Sequence, residues 1–526
     1  MLTVVPHLST RWTADDRGQL LRKLPGASTP LSLSPDSLRR SGELFSAVLV
    51  TEDEIFLMTD HLRSWPIFWA VHGDEVHVGD DAFAVAEAVG GRVLEAGAAA
   101  EFLHTGFVLG ARSLMQGVFQ VPSGTSVRID RRTGAVDHQL ERRLRLREPA
   151  YPEMSSFSSA FSAALDTAMT RLYDRADGRV IALPLSAGLD SRLLAALLAR
   201  DRYPNVLTFT YGLPQNAEAQ ASAKIAESLG LPWRQVSHTP KQLQNTWTDP
   251  STESFLREAS GGASLPHIQD WFATRMLTAD GTLPPGSIVI PGHTVVSSAK
   301  DEPLRHGREV TPAAIVDSLR PWHFALRSQS RRAVRLPSVI HELQTFFTEV
   351  SVDGERRATM DAVRWFWQRE RQAKYILNSV RGYEHAGLEW ALPMHELSVW
   401  EVYEAAPDAA IASREWYREM TEEIYASVSG EPAPTLAPRF TERSLARRIA
   451  AAVAKSTGLP QLRSRVRTVQ AVVDHPLGFD ALITGASRRD VAVRTALGMT
   501  PVGEFAEQFL DDEWVPGSSL FTSHGN

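Results

Sequence analysis

The chain has 526 residues, 43% hydrophobic and 22% charged, an ordinary globular composition with room for two to four domains. Its net charge of −7 argues against a general nucleic-acid binder, which needs a basic surface to displace counterions. It contains no cysteine, which excludes disulfides, cysteine-ligated zinc, iron–sulfur clusters and every thiol nucleophile.

The opening Met-Leu-Thr-Val-Val-Pro-His has no basic stretch ahead of an apolar core, so it is not read as a secretory signal. No window approaches the roughly 18 consecutive apolar residues of a membrane span. The expectation is a cytoplasmic protein with no membrane span. Residues 1 to about 145 read as β-rich: short apolar runs at Leu44 to Thr51, Glu54 to Thr59, Ile67 to His72, Glu75 to Val78 and Ser126 to Asp130 alternate with turn signals. Helical spacing interrupts them near Ala82 to Val89 and Ala98 to Thr105, which predicts a β-sandwich with a few helices. The charged, proline-bearing stretch Arg142 to Met154 reads as a linker. Beyond it, Phe157 to Tyr173 has an amphipathic pattern, and Val180 to Leu185 is a continuous apolar run. Ser191 to Ala199, Asn205 to Tyr211 and Ala217 to Leu229 follow as helix, strand and helix. That alternation predicts a parallel sheet with helices on its faces. From Ala313 to Ala426, and again from Glu442 to Lys455, the pattern is mainly helical.

Chemistry concentrates at Leu185-Ser186-Ala187-Gly188-Leu189-Asp190-Ser191-Arg192. A buried strand feeds a turn of small residues that opens a helix. Amides at such a turn and the helix dipole together form an anion cradle. Ser186 and Ser191 add hydroxyls, and Asp190 sets a carboxylate where Mg²⁺ is its natural partner. The alternatives are a capping aspartate and ordinary turn serines. Neither Gly-x-x-x-x-Gly-Lys-Ser/Thr nor Gly-x-Gly-x-x-Gly occurs here. The segment looks like the Ser-Gly-Gly-x-Asp-Ser loop of ATP pyrophosphatases, with Ala187 in place of the first glycine.

Other stretches resemble the asparagine synthetase family in the same order. Asp60 to Trp69 looks like its Asp-x-x-Gly-x-x-Pro-Leu-Tyr-Tyr segment, Phe107 to Gly124 like the close of its glutaminase domain, and Tyr383 to Pro393 like its Gly-x-Glu-x-x-x-Pro segment. Thr208 to Tyr211, Glu218 and Ala226 to Gly230 stand where that family has its second strand and following helix. The resemblance spans roughly residues 45 to 410. It implies two units: a glutamine amidotransferase-like domain at 1–145 and an ATP-binding ligase domain at 155–526. It implies ATP and Mg²⁺ as cofactors. Nucleotide contacts would come from Leu185, Ser186, Ala187, Gly188, Asp190, Ser191, Thr210 and Gly292, with Asp190 on the metal. By likeness to the β-lactam synthetases, Glu389 and Tyr383 would handle the proton of the attacking amine.

Three departures shape the expected function. The family's glutaminase nucleophile is a cysteine exposed at the N-terminus after Met removal. Leu2 stands there, and leucine has no nucleophilic atom. The family's acidic motif after a glycine finds only Ile288 to Val296, with His293 following Gly292; Asp301 and Glu302 come later. The late lysine expected against pyrophosphate finds Lys455 and several arginines, among them Arg439, Arg443 and Arg463. The expectation is an AMP-forming ligase in specialised metabolism, for example a lasso-peptide macrolactam cyclase or a small-molecule amide synthetase. Its substrate, small molecule or peptide, would carry the carboxylate and the amine, with a precursor peptide or protease as a partner. Ammonia-dependent asparagine synthesis and a catalytically weakened scaffold are the alternatives.

Overall fold

The computed structural model describes residues 1–24, 33–214, 216–247, 249–297, 311–327, 330–350, 356–434 and 488–510. Ten strands lie in the first 140 residues: β1 (Thr3–His7), β2 (Thr13–Ala14), β3 (Leu20–Lys23), β4 (Phe45–Val50), β5 (Glu54–Thr59), β6 (Phe68–His72), β7 (Glu75–Gly79), β8 (Phe119–Gln120), β9 (Thr125–Asp130) and β10 (Val136–Leu140). They form a four-stranded sheet, β1-β7-β6-β8, and a six-stranded sheet, β10-β9-β5-β4-β3-β2. Alternate side chains of each sheet point inward because the strand period is two. Ile55, Leu57, Val127 and Ile129 from one sheet meet Trp69, Val76 and Val78 from the other. Leu2 is buried among them. The position expected to carry a nucleophile is thus an apolar core residue.

The second half is built on β11 (Ile181–Pro184), β12 (Val206–Gly212), β13 (Trp233–Ser237), β14 (Ile288–Val289) and β15 (Glu389–Trp390). All pairings are parallel, in the order β13-β12-β11-β14-β15. Ile181, Ala182 and Leu183 are all fully buried. That is why β11 reads as an unbroken apolar run: helices cover both faces of such a sheet. Helices Leu189–Arg200 and Ala217–Ser228 link β11 to β12 and β12 to β13. From β11 the chain moves outward through β12 to β13, then returns to the other side of β11 for β14 and β15. The order therefore reverses between β11 and β14, where a crevice opens at the carboxyl ends of the strands in open α/β sheets.

Charged groups stitch the front sandwich to the second half. A π-helix, Trp367–Ile376, carries Glu370 and Lys374. The Lys374 ammonium is completely buried and donates to Glu370 at 2.6 Å and to the Val108 and Gly110 carbonyls at 2.7 and 2.8 Å. The spacing of Lys374 and Arg381 suggests a solvated face or an ion pair. Both are in fact buried in ion pairs, Arg381 with Glu384 at 2.7 Å. A buried charge is tolerable only when so partnered.

Candidate active site

The Ser186–Ser191 loop leaves β11 at the crevice. Gly188 begins the helix Leu189–Arg200 in extended conformation, and no side chain caps that helix. Its first amides are therefore open to an anionic ligand. The loop is self-braced. Ser191 Oγ donates to the Ser186 carbonyl at 3.1 Å and accepts from its amide at 3.0 Å, and the two hydroxyls lie 3.0 Å apart. The Gly188 amide donates to Ser186 Oγ at 3.1 Å. Both serines shape the loop: the Ser191 proton is spent on the Ser186 carbonyl, and Ser186 Oγ keeps its proton for Ser191 or for a ligand.

Gly292 approaches the loop from β14. A Cβ at Gly292 would lie 3.1 Å from the Ser191 nitrogen and 3.3 Å from Asp190 Cβ. A side chain at Gly292 would have to push the loop backbone away by a few tenths of an ångström. The Ser186–Ser191 loop and Gly292, distant in sequence, are thus joined at the point where strand order reverses.

Asp190 sits between burial and a counter-charge. Arg414 Nη2 lies 2.5 Å from its Oδ1, while the nearby Tyr417 hydroxyl donates to Met394 Sδ at 3.4 Å. Burial still pushes the carboxyl above its ordinary range, because desolvation outweighs the Arg414 field. Arg414 in turn stacks 5.0 Å over the Tyr417 ring. Arg192, one turn into the helix, bonds Glu422 at 2.6 Å and the Ala187 carbonyl at 2.9 Å. Arg414, Tyr417 and Glu422 belong to the helix Glu415–Ser429 or its entry. No motif in the sequence distinguishes them. Only their packing on the helix that follows the loop brings them in.

Two of the expected nucleotide contacts are otherwise engaged. Leu185 is buried; its amide bonds the Phe209 carbonyl, and its carbonyl accepts from Thr210 at 2.7 Å and Ser222 at 3.0 Å. The Thr210 hydroxyl also accepts from Trp233 Nε1 at 3.1 Å. Both residues brace the loop from behind, and neither presents a free polar group to the crevice. Glu389 is likewise not brought to the loop. It pairs with Ile288 of β14, which is level with Ile181 at the amino end of β11. Four residues of strand separate it from the loop, about 13 Å at ~3.3 Å per residue. There it forms an ion pair with Arg179 at 2.6 Å. The sequence places Glu389 on a strand but not at which end, and the register decides.

Tyr383 lies elsewhere, in a buried polar row. Its hydroxyl donates to Asp270, which also accepts from Tyr211 at 2.5 Å. Ser379, one turn earlier on the helix Ser379–His385, has its Oγ 3.3 Å from His293 Nε2. His293 is the residue after Gly292, so this row starts beside the loop.

The residues present fit a nucleotide with one metal ion. The uncapped helix start and small-residue turn suit phosphates. Mg²⁺ commonly takes one or two carboxylates and fills its shell with phosphate oxygens and water, so Asp190 suffices as the protein ligand. Among the described residues there is no group of three or more His, Asp or Glu side chains placed to hold a metal. Asp301, Glu302, Lys455 and the late arginines Arg439, Arg443 and Arg463 lie outside the described residues, as does the helical segment expected at Glu442 to Lys455. No described helix is long and apolar enough to cross a membrane.

Comparison with known proteins agrees with this geometry where it reaches. The asparagine synthase family model matches residues 160–266. No curated protein matches the chain. Solved structures with partial likeness include an ammonia-dependent NAD synthetase from Campylobacter jejuni (14% identity, 37% of this chain, 96% of that one, TM-score 0.20). An NMN synthetase from Francisella tularensis is 12% identical over 55% of this chain and 99% of that one, with TM-score 0.19. A glutamine phosphoribosylpyrophosphate amidotransferase from B. subtilis is 11% identical over 66% and 76%, with TM-score 0.16. Likeness this slight carries no functional argument. The asparagine synthase match covers β11, the Ser186–Ser191 loop, β12 and β13, and it is this segment of the chain that is similar to that family.

Proposed function

We propose that this protein adenylates a substrate carboxylate and joins it to an amine, without hydrolysing glutamine. The asparagine synthase match supports an ATP-dependent, amide-forming ligase as the class. One observation carries the finer reading: the uncapped helix start, Asp190 and the Gly292 backbone meet in the crevice between β11 and β14. A carboxylate oxygen of the substrate attacks the α-phosphorus of ATP, and the bond to the β-phosphate bridge breaks. The open amides and the Ser186 hydroxyl stabilise the charge gathering on the leaving pyrophosphate. Mg²⁺, when bound at Asp190, neutralises phosphate charge. Arg414 is placed to do the same once Asp190 takes a metal, since guanidinium suits phosphate. The amine nitrogen then attacks the acyl carbon, the carbon–oxygen bond to AMP breaks, and the amide is formed.

On this reading residues 1–145 are a glutaminase-like unit without its chemistry, and residues 155–526 the ligase unit. The substrate is a small molecule or peptide bearing both groups, as in a lasso-peptide macrolactam cyclase. Turnover with the right acid and amine produces AMP and pyrophosphate in step with amide, as nucleotide chromatography would show; ADP as the main product would replace this scheme with an acyl-phosphate one. The test is ATP–pyrophosphate exchange across a panel of acids and peptides, aspartate included. Exchange with aspartate and amide formation from ammonia alone would favour ordinary asparagine synthesis. Absence of exchange throughout would favour a scaffold, the reading that His293 in place of an acidic residue and Arg414 on Asp190 recommend.

A second expectation follows from Leu2. It is buried in the sandwich core, its amide bonded to the Arg131 carbonyl at 2.7 Å and its carbonyl to Arg131 Nε at 3.0 Å. Incubation with glutamine is expected to release no glutamate above background. Release in proportion to enzyme would show a glutaminase centre elsewhere in the chain.

A further inference from the structure

A guanidinium drawn out of water is tolerable where a carboxylate answers it, and the seam between the two halves shows the rule. A cavity of about 210 Å³ beside Ser9 and Pro66 holds three arginines, each paired: Arg22 and Arg381 with Glu384, Arg257 with Asp81. A larger cavity in the same seam, about 430 Å³, departs from it. Residues 41–44 and His61 of the front sandwich form one wall, and the helix Met154–Ala176 with residues 391–396 the other. Arg171 on that helix finds Glu396 at 3.1 Å. Arg175, one turn on and half-buried, forms no ion pair among the described residues. Its Nη2 donates to the Trp390 carbonyl at 2.7 Å, its Nε is buried without a partner, and its Nη1 bonds nothing among the described residues. Burial lowers the pKa of Arg175, yet a guanidinium stays charged at neutral pH. The helix C-terminus beside it answers only part of that charge.

The rest of the lining says what kind of carboxylate would fit. Glu43, Asp174 and Glu396 set three carboxyls against two guanidiniums, so a plain anion would enter against net negative charge. Burial pushes the Glu396 carboxyl up to about 7 even with Arg171 bonded to it, and the Glu43 charge adds to the rise. A positive group brought in by a ligand would relieve both. Leu24, Leu44, Leu172 and Leu392 supply an apolar wall. We propose that this cavity binds a free apolar α-amino acid, its carboxylate on the Arg175 fork, its ammonium among the three acids and its side chain against the leucines. The planar fork matches a carboxylate in a two-point contact, and the volume falls within the roughly 300–1,000 Å³ of small-molecule sites. The site is separate from the phosphate crevice and does not depend on the ligase reading. Of residues 391–396 only Met394 does not line it; Met394 faces the other way, its sulfur accepting from the Tyr417 hydroxyl at 3.4 Å.

Calorimetry of the full chain without nucleotide is the first test. Leucine, valine and methionine are the probes. The controls are N-acetylleucine, which keeps the carboxylate alone, and leucinamide, which keeps the ammonium alone. One amino acid is expected to bind per chain, with each control at least about tenfold weaker than leucine, and Arg175→Gln is expected to weaken leucine by at least about tenfold. That variant also gives up the bond to Trp390, so the unaltered protein supplies a second reading that decides alone if the variant does not fold. Phenylglyoxal labelling of Arg175, read by mass spectrometry, is expected to slow at least about fivefold at saturating leucine, while labelling of the exposed Arg202 is unchanged. Absence of binding by all three amino acids would leave a cavity for water and overturn the proposal. N-acetylleucine or leucinamide binding as tightly as leucine would overturn it too, since one charge would then suffice. So would leucine binding that neither Arg175→Gln nor the labelling registers, which would place the amino acid elsewhere.

Discussion

Asp190→Ala is expected to abolish ATP–pyrophosphate exchange, by about 10³-fold or to background, while leaving the circular dichroism spectrum unchanged. The size follows from what the carboxylate does. It is the one acid within the Ser186–Ser191 loop, and removing a single preorganised charge-stabilising group costs about 10²–10³ in rate; loss of the metal ligand would add to that. The cost to the fold is small. Arg414, its partner at 2.5 Å, is about a quarter exposed and keeps the face of Tyr417. An ion pair whose two side chains both reach solvent contributes about 1 kcal/mol. Asp190→Asn is the control for shape: it should lose exchange as completely while melting closer to the parent. Exchange at parental rate in either variant would remove Asp190 from the phosphate site and reduce it to a partner of Arg414.

Glu384→Gln is expected to cost roughly 3–5 kcal/mol of folding stability. Five donors converge on this carboxylate. Oε1 accepts from Trp65 Nε1 at 2.8 Å and Trp390 Nε1 at 2.9 Å. Oε2 accepts from Arg22 and Arg381, each at 2.7 Å, and from Arg11 at 3.1 Å. The arginine fields hold the carboxyl down to about 2 in spite of its burial. Glutamine keeps the shape but offers one acceptor oxygen and sets an amide donor against guanidiniums. Arg381 then loses its carboxylate, and Arg22 is left with Asp80 at 3.5 Å. The comparison is Arg11→Ala. Arg11 is more than a third exposed and pairs also with Glu258 at 2.5 Å, so its loss should cost under about 1 kcal/mol. Urea unfolding of both variants distinguishes the cases. Similar small losses would show that the knot is a solvated cluster and not a clamp.

The sequence carries the fold unevenly, and the unevenness has causes. Runs bounded by turns gave strands nearly in place: Glu54 to Thr59 is β5, and Ser126 to Asp130 is β9 with one residue added. Val180 to Leu185 and Asn205 to Tyr211 are β11 and β12, shifted by about a residue. These strands are buried on at least one face, so burial writes a period into them. β10 is mostly exposed, and β13 buries only Val236; with little buried, no period appears. β14 and β15 are two residues each, too short for any pattern.

The same division runs through the site. The Ser186–Ser191 loop is legible because a strand, a turn of small residues and a helix start are adjacent in sequence. Arg414, Asp270 and Tyr211 meet it or its neighbour across more than 20 residues of intervening chain, and nothing in their own surroundings marks them. Glu389 illustrates the complementary difficulty. Its residue type and motif are right for proton handling, yet parallel register sets it beside Arg179. Sequence resemblance transfers chemistry to a position, and sheet register decides whether that position reaches the crevice.

The π-helix at Trp367–Ile376 has a consequence for which changes the chain can bear. Its wide turns, with the Leu377 amide reaching back five residues to the Gln372 carbonyl, amount to extra length held in a helix that would otherwise wind more tightly. Ser379 and Tyr383 ride on the helix that continues from it. Near 100° of turn accompanies each residue of an α-helix. Losing one residue from this stretch would let it relax to the tighter winding, yet would swing Ser379 away from His293 and Tyr383 away from Asp270 by about a quarter turn. Substitutions between 367 and 376 alter side chains one at a time, whereas a deletion would retime everything after it. The stretch acts as a spacer whose residue count matters more than its composition.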